Sequence, residues 1–202
     1  DLIECYSTSK KLMPLVHLPV QSGSNKILKA MNRKHTIEEY QRTIDKLNKV
    51  NSNIKFSSDF IIGYPGETFE DFKQTEQLVK KVKYINSYSF IFSARPGTPA
   101  LKLEKVNQSE AKERLISFQS VAEEIKTKYR ETLISGISNV LFENKTKEEN
   151  KYFGRDEYLN SVIVKSNENL VGKIKKVKIT SGNHNTLYGE IFSKSNINNY
   201  AA

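Results

Sequence analysis

Three short stretches of this 202-residue sequence gather side chains able to hold a small polar ligand, and each follows an apolar run. Ligands of α/β sheets collect at the C-terminal ends of the strands, so these stretches stand where chemistry would be expected. The first is Pro19-Val20-Gln21-Ser22-Gly23-Ser24. Gln21 and Ser22 offer hydrogen bonds to hydroxyl or carboxylate groups, and Gly23 permits close backbone approach. Ser24 caps a following helix whose positive dipole end then faces the site. The same residues also make an ordinary strand–turn–helix with a serine cap. The second stretch runs from Asp59 through Ile61 and Gly63 to Thr68. A carboxylate inside an apolar strand has to be paired or hydrogen-bonded. Gly63 at the strand end lets a flat ring lie against bare backbone, and Pro65-Gly66 suits a tight turn; a buried aspartate that only holds a loop accounts for the pattern as well. The third, Phe92 to Pro99, sets the Arg95 guanidinium between rigid turns, a geometry suited to a carboxylate or phosphate. Arginine is also common on surfaces.

Farther along, Lys173, Lys175, Lys176 and Lys178 stand among Ile174, Val177 and Ile179. Part of this run places lysines on the outer face of a strand, where they can meet phosphates. A solvated strand face is the other reading. Tyr152, Phe153 and Arg155 serve either stacking or barrel packing. His17, His35 and His184 are scattered and receive no catalytic role, and no residue of the chain is assigned one. Cys5 is the single cysteine. It reads as a small core residue, and one thiol builds neither a disulfide framework nor a metal cluster.

The elements that must position these residues fall into two periods. Leu15–Val20, Ile54–Ile62 and Ile85–Ser93 read as strands. Between them lie a helix at Ser24–Asn32, a helix opened by Thr36 with Glu39 completing a capping box, and a helix capped by Thr68 with Asp71 at its third position. Ile37, Tyr40, Ile44, Leu47 and Val50 form the apolar stripe of the second helix; Phe69, Phe72, Leu78, Val79 and Val82 form that of the third. Strands alternating with helices predict a parallel α/β sheet. Three parallel strands are too few to close a barrel, and Asp1–Leu12 reads as the latter part of a helix. The expectation is therefore a truncated barrel with strands missing upstream. Ser109 opens a long helix carrying Leu115, Phe118, Ala122, Ile125, Tyr129 and Leu133, suited to connect two domains. Beyond it, Ile137–Glu143, Ser161–Lys165, Leu170–Ile179 and Thr186–Phe192 read as short strands of a small oligonucleotide-binding type of β-barrel, followed by a polar tail after Lys194. The domain expectation is 1–133 and 134–202.

Charge bears on the partner. The chain carries +9, and the surplus is spread: 22 basic against 16 acidic residues before position 134, and 10 against 7 after it. A distributed positive surplus suits a polyanion through counterion release, although a lysine-solvated surface gives the same count. A lone cysteine fits a reducing compartment. No apolar run approaches the ~20 residues that span a bilayer, and the N-terminus lacks a signal-peptide pattern. A soluble, cytoplasmic protein without a membrane partner is expected.

Taken in order and spacing, His17-Leu18-Pro19-Val20-Gln21-Ser22-Gly23-Ser24, Met31-x-Arg33 and Ser57–Thr68 resemble the methylthiotransferase family of radical S-adenosylmethionine enzymes. Ser89–Ala100 is similar to the branch acting on tRNA rather than the one acting on a ribosomal protein. The β-rich end resembles the TRAM domain with which these enzymes hold RNA. The resemblance implies a fold: the C-terminal half of a partial TIM-like radical SAM barrel, then a small all-β, OB-like TRAM barrel. It implies tRNA as partner and methylthio transfer onto an isopentenylated adenosine beside the anticodon. It also implies S-adenosyl-L-methionine and two 4Fe-4S clusters. One cluster is held by a C-x-x-x-C-x-x-C motif absent here, so an upstream polypeptide is expected to supply the cluster domains and this chain alone to be inactive. Gln21 and Ser22 are then expected near the ribose or methionine part of the cofactor. Asp59, Ile61 and Gly63 are expected along its ribose–adenine side, and Arg95, with Arg33, on its carboxylate or on RNA. A non-catalytic RNA-binding module is the alternative.

Overall fold

The computed structural model describes residues 2–9 and 11–193. The polar tail after Lys194 lies outside them. The chain divides into two compact units, Asp1–Lys126 and Thr127–Ala202.

The first unit is built on a parallel sheet in the order β1-β2-β3, from β1 (Leu15–His17), β2 (Lys55–Ile62) and β3 (Asn86–Ile91). It opens with α1 (Leu2–Thr8). Helices α2 (Asn25–Ala30) and α3 (Ile37–Val50) connect β1 to β2, α4 (Phe69–Val82) connects β2 to β3, and α5 (Gln108–Glu131) follows. Both expected capping boxes form. Thr36 Oγ1 accepts from Glu39 N while Glu39 Oε2 accepts from Thr36 N, and Thr68 and Asp71 repeat the exchange on α4. Each such cap stabilises its helix by about 1 kcal/mol.

Successive strand residues point to opposite faces. On one face Val16, Phe56, Phe60 and Ile62 pack against Tyr40, Ile44 and Leu47 of α3, Phe72 and Val79 of α4, and Phe118 of α5. Phe60 is at the centre, fully buried, with its ring 4.7 Å from Phe118 and 5.4 Å from Tyr84. The other face carries His17, Ser57, Asp59, Ile61, Tyr88 and Phe90, and Tyr88 and Phe90 are more than half exposed.

Three side chains depart from expectation. Phe69 does not face inward: it is 60% exposed at the first position of α4, where the chain is still turning in from its cap. Val50, at the last position of α3, is also exposed. Cys5 is exposed rather than in the core, because α1 is only seven residues long and buries none of its side chains. Strand and helix ends are also shorter than expected. β1 stops at His17 because the chain bulges over the next three residues, where Ser58 Oγ takes the place of backbone partners for Leu18 O and Val20 N, and α1 stops at Thr8.

The second unit is a closed barrel in the order β4-β5-β6-β8-β7. Its strands are β4 (Ile137–Lys145), β5 (Lys151–Asp156), β6 (Ser161–Lys165), β7 (Ile174–Gly182) and β8 (Thr186–Ile191). β6 and β8 pair parallel; the other pairs are antiparallel. Val140, Phe142, Tyr152, Val162, Val164, Val177, Ile179 and Leu187 fill the interior. The sequence expectation lacked β5. There Gly154 interrupts the apolar alternation, yet Tyr152, Gly154 and Asp156 all point inward. Leu170 is buried but precedes the strand it was assigned to, in a turn closed by Lys173 N donating to its carbonyl.

Candidate functional site

The loop after β1 owes its shape to one extra residue. His17 pairs with Ser57 and Gln21 with Phe60, so β1 advances four residues while β2 advances three. The bulge spans Leu18, Pro19 and Val20. Ser58 satisfies the polar groups this leaves behind, since its Oγ donates to Leu18 O at 2.8 Å and accepts from Val20 N at 3.0 Å. Pairing then resumes, with Gln21 N donating to Asp59 O and Ile61 N to Gln21 O, each at 2.9 Å. The consequence for Gln21 is a φ of +74°, a left-handed conformation that costs a non-glycine residue on the order of 1–3 kcal/mol and that clusters at ligand sites.

Beyond Gln21 the chain dives onto α4. A Cβ on Gly23 would lie 2.5 Å from the Gln74 carbonyl oxygen, so the close approach that glycine permits here is to a helix backbone. Ser22 is 1% exposed; its Oγ accepts from Ser24 N and lies 3.4 Å from Thr75 Oγ1. Ser24 caps α2 and donates to Asp71 at 2.7 Å. Asp71 also accepts from Lys26 Nζ and from the backbone and hydroxyl of Thr68. Burial opposes ionisation of Asp71, but these donors outweigh it and hold the carboxyl well below the usual carboxylate range. One carboxylate thus locks the starts of two helices beside both strand-end loops.

On β2, Asp59 and Ile61 alternate with Phe60 and Ile62 and so share the open face. Asp59 Oδ2 lies 3.4 Å from His17 Nε2. Gly63 has φ +72°, and a Cβ there would sit 2.8 Å from the Cβ of Ala111 on α5. Its N–H donates to Glu67 Oε1 at 3.0 Å. Arg114 of α5 grips the same loop: one guanidinium nitrogen donates to both Glu67 O and Glu67 Oε1, and the other pairs with Glu110. Desolvation pushes the Glu67 carboxyl above its ordinary range even with Arg114 beside it. Arg95 is exposed, and no hydrogen bond or ion pair holds its guanidinium among the described residues. Its carbonyl closes a turn by accepting from Thr98 N and Oγ1.

The fold therefore brings Gln21, Asp59, Ile61 and Gly63 to adjoining strand ends, with Ser22 behind them against α4 and Arg95 on the loop after β3. Two contributors went unrecognised in the sequence. His17 bridges Ser57 and Asp59, residues 40 and 42 places away, and only the strand pairing reveals this. Arg114 did leave a signal. With Ala111 and Phe118 it lies on the inward stripe of α5, where a charge needs a buried partner.

On the barrel, β7 divides the four lysines. Lys176 and Lys178 point outward with Ile174, whereas Lys175 shares the side of Val177 and Ile179, and Lys173 sits in the preceding turn. The outward row pairs with Ile137, Asn139 and Leu141 of β4, and Leu141 pairs with Arg155 of β5. Arg155 lies 5.7 Å over the Phe153 ring and binds Glu143. Ile137, Leu141 and Ile174 are 51%, 44% and 68% exposed, so cations and bare apolar groups interleave on one outer face. Tyr152 belongs to the interior. Buried Asp156 accepts from the backbone and side chain of Asn160 and from Tyr158 N, which fixes the β5–β6 turn, and burial pushes its carboxyl up.

Residues 4–79 match the model of the Radical SAM superfamily, and residues 137–192 match that of the TRAM domain. The tRNA-2-methylthio-N(6)-dimethylallyladenosine synthase of Pelagibacter ubique (strain HTCC1062) is 56% identical over 96% of this chain and 44% of its own length. The enzymes of that name from Rickettsia bellii (strain OSU 85-389) and Rickettsia felis (strain ATCC VR-1525 / URRWXCal2) are 47% and 46% identical, each over 95% of the chain and 44% and 43% of their own lengths. The chain spans less than half the length of these curated relatives. The first unit carries part of a radical SAM domain, and the second is a TRAM domain.

Proposed function

We propose that this chain forms the nucleoside-facing sheet and the RNA-holding barrel of a tRNA methylthiotransferase that places a 2-methylthio group on N6-isopentenyladenosine next to the anticodon. The observation that carries the reading is the pairing of two features in one chain with the similarity above. One is a parallel sheet whose strand ends hold a part-exposed carboxylate and an apolar partner; the other is a closed barrel with a basic and apolar outer face.

S-adenosyl-L-methionine fits the residues present. Asp59 offers acceptors for ribose hydroxyls or a favourable charge for the sulfonium, Ile61 offers an apolar surface to adenine, and the strained Gln21 backbone sets the distance between strand ends. Ser22, Gly63, Glu67 and Arg114 hold those loops in place. Arg95, exposed on the loop after β3, would on this reading meet a carboxylate or a phosphate. When bound, the cofactor would supply the radical and the methyl group. The chain's own part is to orient it and to keep the adenine side apolar. Iron–sulfur clusters do not fit this chain, because a single cysteine cannot furnish three thiolates. That ligation belongs to an upstream polypeptide, on this reading a partner or a continuation of the same frame.

The second reading, an RNA-binding module without catalysis, draws on the same cysteine count. The reading of the barrel predicts that a tRNA anticodon stem-loop binds the chain with affinity falling steeply between about 50 and 200 mM salt. The reading of the whole predicts 2-methylthioadenosine in tRNA, detected by mass spectrometry, once a polypeptide carrying C-x-x-x-C-x-x-C is supplied. Salt-insensitive binding contradicts the first, and unmodified tRNA with fully clustered protein contradicts the second. A tRNA substrate puts the proposed action in the cytoplasm. Independently, no helix among the described residues is long and apolar enough to cross a membrane.

A further inference from the structure

His17 occupies an unusual position. Its Nδ1 lies 2.9 Å from Ser57 Oγ, its Nε2 lies 3.4 Å from Asp59 Oδ2, and its ring meets Tyr88 edge-on at 6.2 Å. Three neighbours fix the plane of the imidazole, yet its side chain is 47% exposed on the open sheet face, and that of Asp59 is 31% exposed. The ring is thus wet enough to exchange protons and rigid enough for its charge to be felt at one spot. The charged or titratable groups around it are Asp59 on β2, Lys55 two places before Ser57 on the same strand, and Tyr88 on β3. Leu15, its neighbour on the same side of β1, is apolar.

The two protonation states make different surfaces. With a neutral imidazole, the Asp59 carboxylate projects an uncompensated negative charge from the sheet face. With an imidazolium, the nearest positive charge is directly against Asp59, and the face becomes electrically neutral there. A ligand whose positive charge has to lie along Asp59 experiences the difference; one of equal shape and no charge at that atom does not.

We propose that His17 is a specificity-determining residue that selects a cationic sulfur over a neutral one at the strand-end site, by setting whether Asp59 presents its charge. This rests on the reading that the open face takes S-adenosylmethionine, and the step beyond it is the discrimination of the sulfonium from the thioether that remains after it is spent. His17 acts through Asp59, as a positioning residue, and touches no reacting atom.

The test uses the chain itself with two probes of the same skeleton, S-adenosylmethionine and S-adenosylhomocysteine, titrated by NMR or calorimetry from about pH 5.5 to 8, the range in which imidazoles change charge. The ratio of the two affinities should fall by about tenfold on acidification, a value discounted for the partial exposure of both groups. In His17→Gln, which keeps a donor for Asp59 and an acceptor for Ser57 without a titrating charge, the ratio should stay flat. By reciprocity, S-adenosylmethionine should move the proton titration of the His17 ring to lower pH, and S-adenosylhomocysteine should leave it in place. The chain has three histidines, so the resonance is readily assigned. A ratio that does not change with pH in the wild type, or that changes equally in His17→Gln, overturns the proposal. If His17→Gln fails to fold, the wild-type ring titration decides by itself. Binding of neither compound at any pH sinks the cofactor reading, and this inference with it.

Discussion

The two units expose their candidate surfaces without losing the core in opposite ways. The first is an open sheet with one face covered by helices and the other bare, and β1 and β3 are its edges. Its candidate residues lie on that bare face and in loops with local strain and interlocked carboxylates. The second unit closes on itself around a largely apolar interior, and its interleaved cations and bare apolar groups lie on the outside. The candidate site on the sheet therefore depends on precise loop geometry. The barrel offers a surface whose stability owes almost nothing to the residues that would touch a partner.

The largest effect that separates the two comes from the core of the sheet. Phe60→Ala should destabilise the first unit by about 3–5 kcal/mol, and a denaturant or hydrogen-exchange experiment should find the barrel amides still protected. Loss of protection in both units together would break the division. A smaller effect is expected at Gly63→Ala, about 1–3 kcal/mol from the positive φ and the crowding against Ala111. In contrast, Ile174→Ser and Leu141→Ser on the barrel should leave its melting temperature within about a degree or two.

Acid should divide the units by sign. The Asp71 carboxyl is lowered in the folded state, so its contribution is present above the ordinary aspartate range and is lost as pH falls below it. Asp156 is raised, so its contribution is greatest in acid and disappears as pH rises through its folded value. Glu67 shares the direction of Asp156 and partly offsets Asp71. Lowering the pH from about 6 to 3 should weaken the first unit relative to the barrel, and Asp71→Asn should shrink that difference. A barrel that melts first in acid would contradict this.

The smallest effect is the most specific. Replacing Lys176 and Lys178 by Ala should lower affinity for an anticodon stem-loop several-fold. The slope of log affinity against log salt should shrink by about 0.7–0.9 for each phosphate that a lysine no longer neutralises. The stability of the first unit should not move.

Much of this was legible in the sequence, for local reasons. The capping boxes at Thr36 and Thr68, the stripes of α3 and α4 and the apolar runs of β1 to β3 each follow from neighbours within a few residues. What escaped was non-local or interrupted. Gly154 hid β5 because it breaks the alternation that Tyr152 and Asp156 complete. The side-taking of Lys175 against Lys176 and Lys178 follows from strand parity, which a run of basic residues conceals. The ring of His17 finds its partners only through parallel pairing across 40 residues, which periodicity cannot show. Ser22 and Gly23 looked ligand-facing by type, and the packing of their loop on α4 was invisible without the helix in place.

The most direct trial of the cofactor site is an amide and methyl NMR footprint of S-adenosylhomocysteine on the isotopically labelled chain. The predicted result is shifts concentrated at Gln21, Asp59, Ile61 and Gly63, with Phe60, Ile62 and the barrel unmoved. Shifts centred on the barrel or on the helix-covered side of the sheet, or no shifts at millimolar ligand, would contradict it.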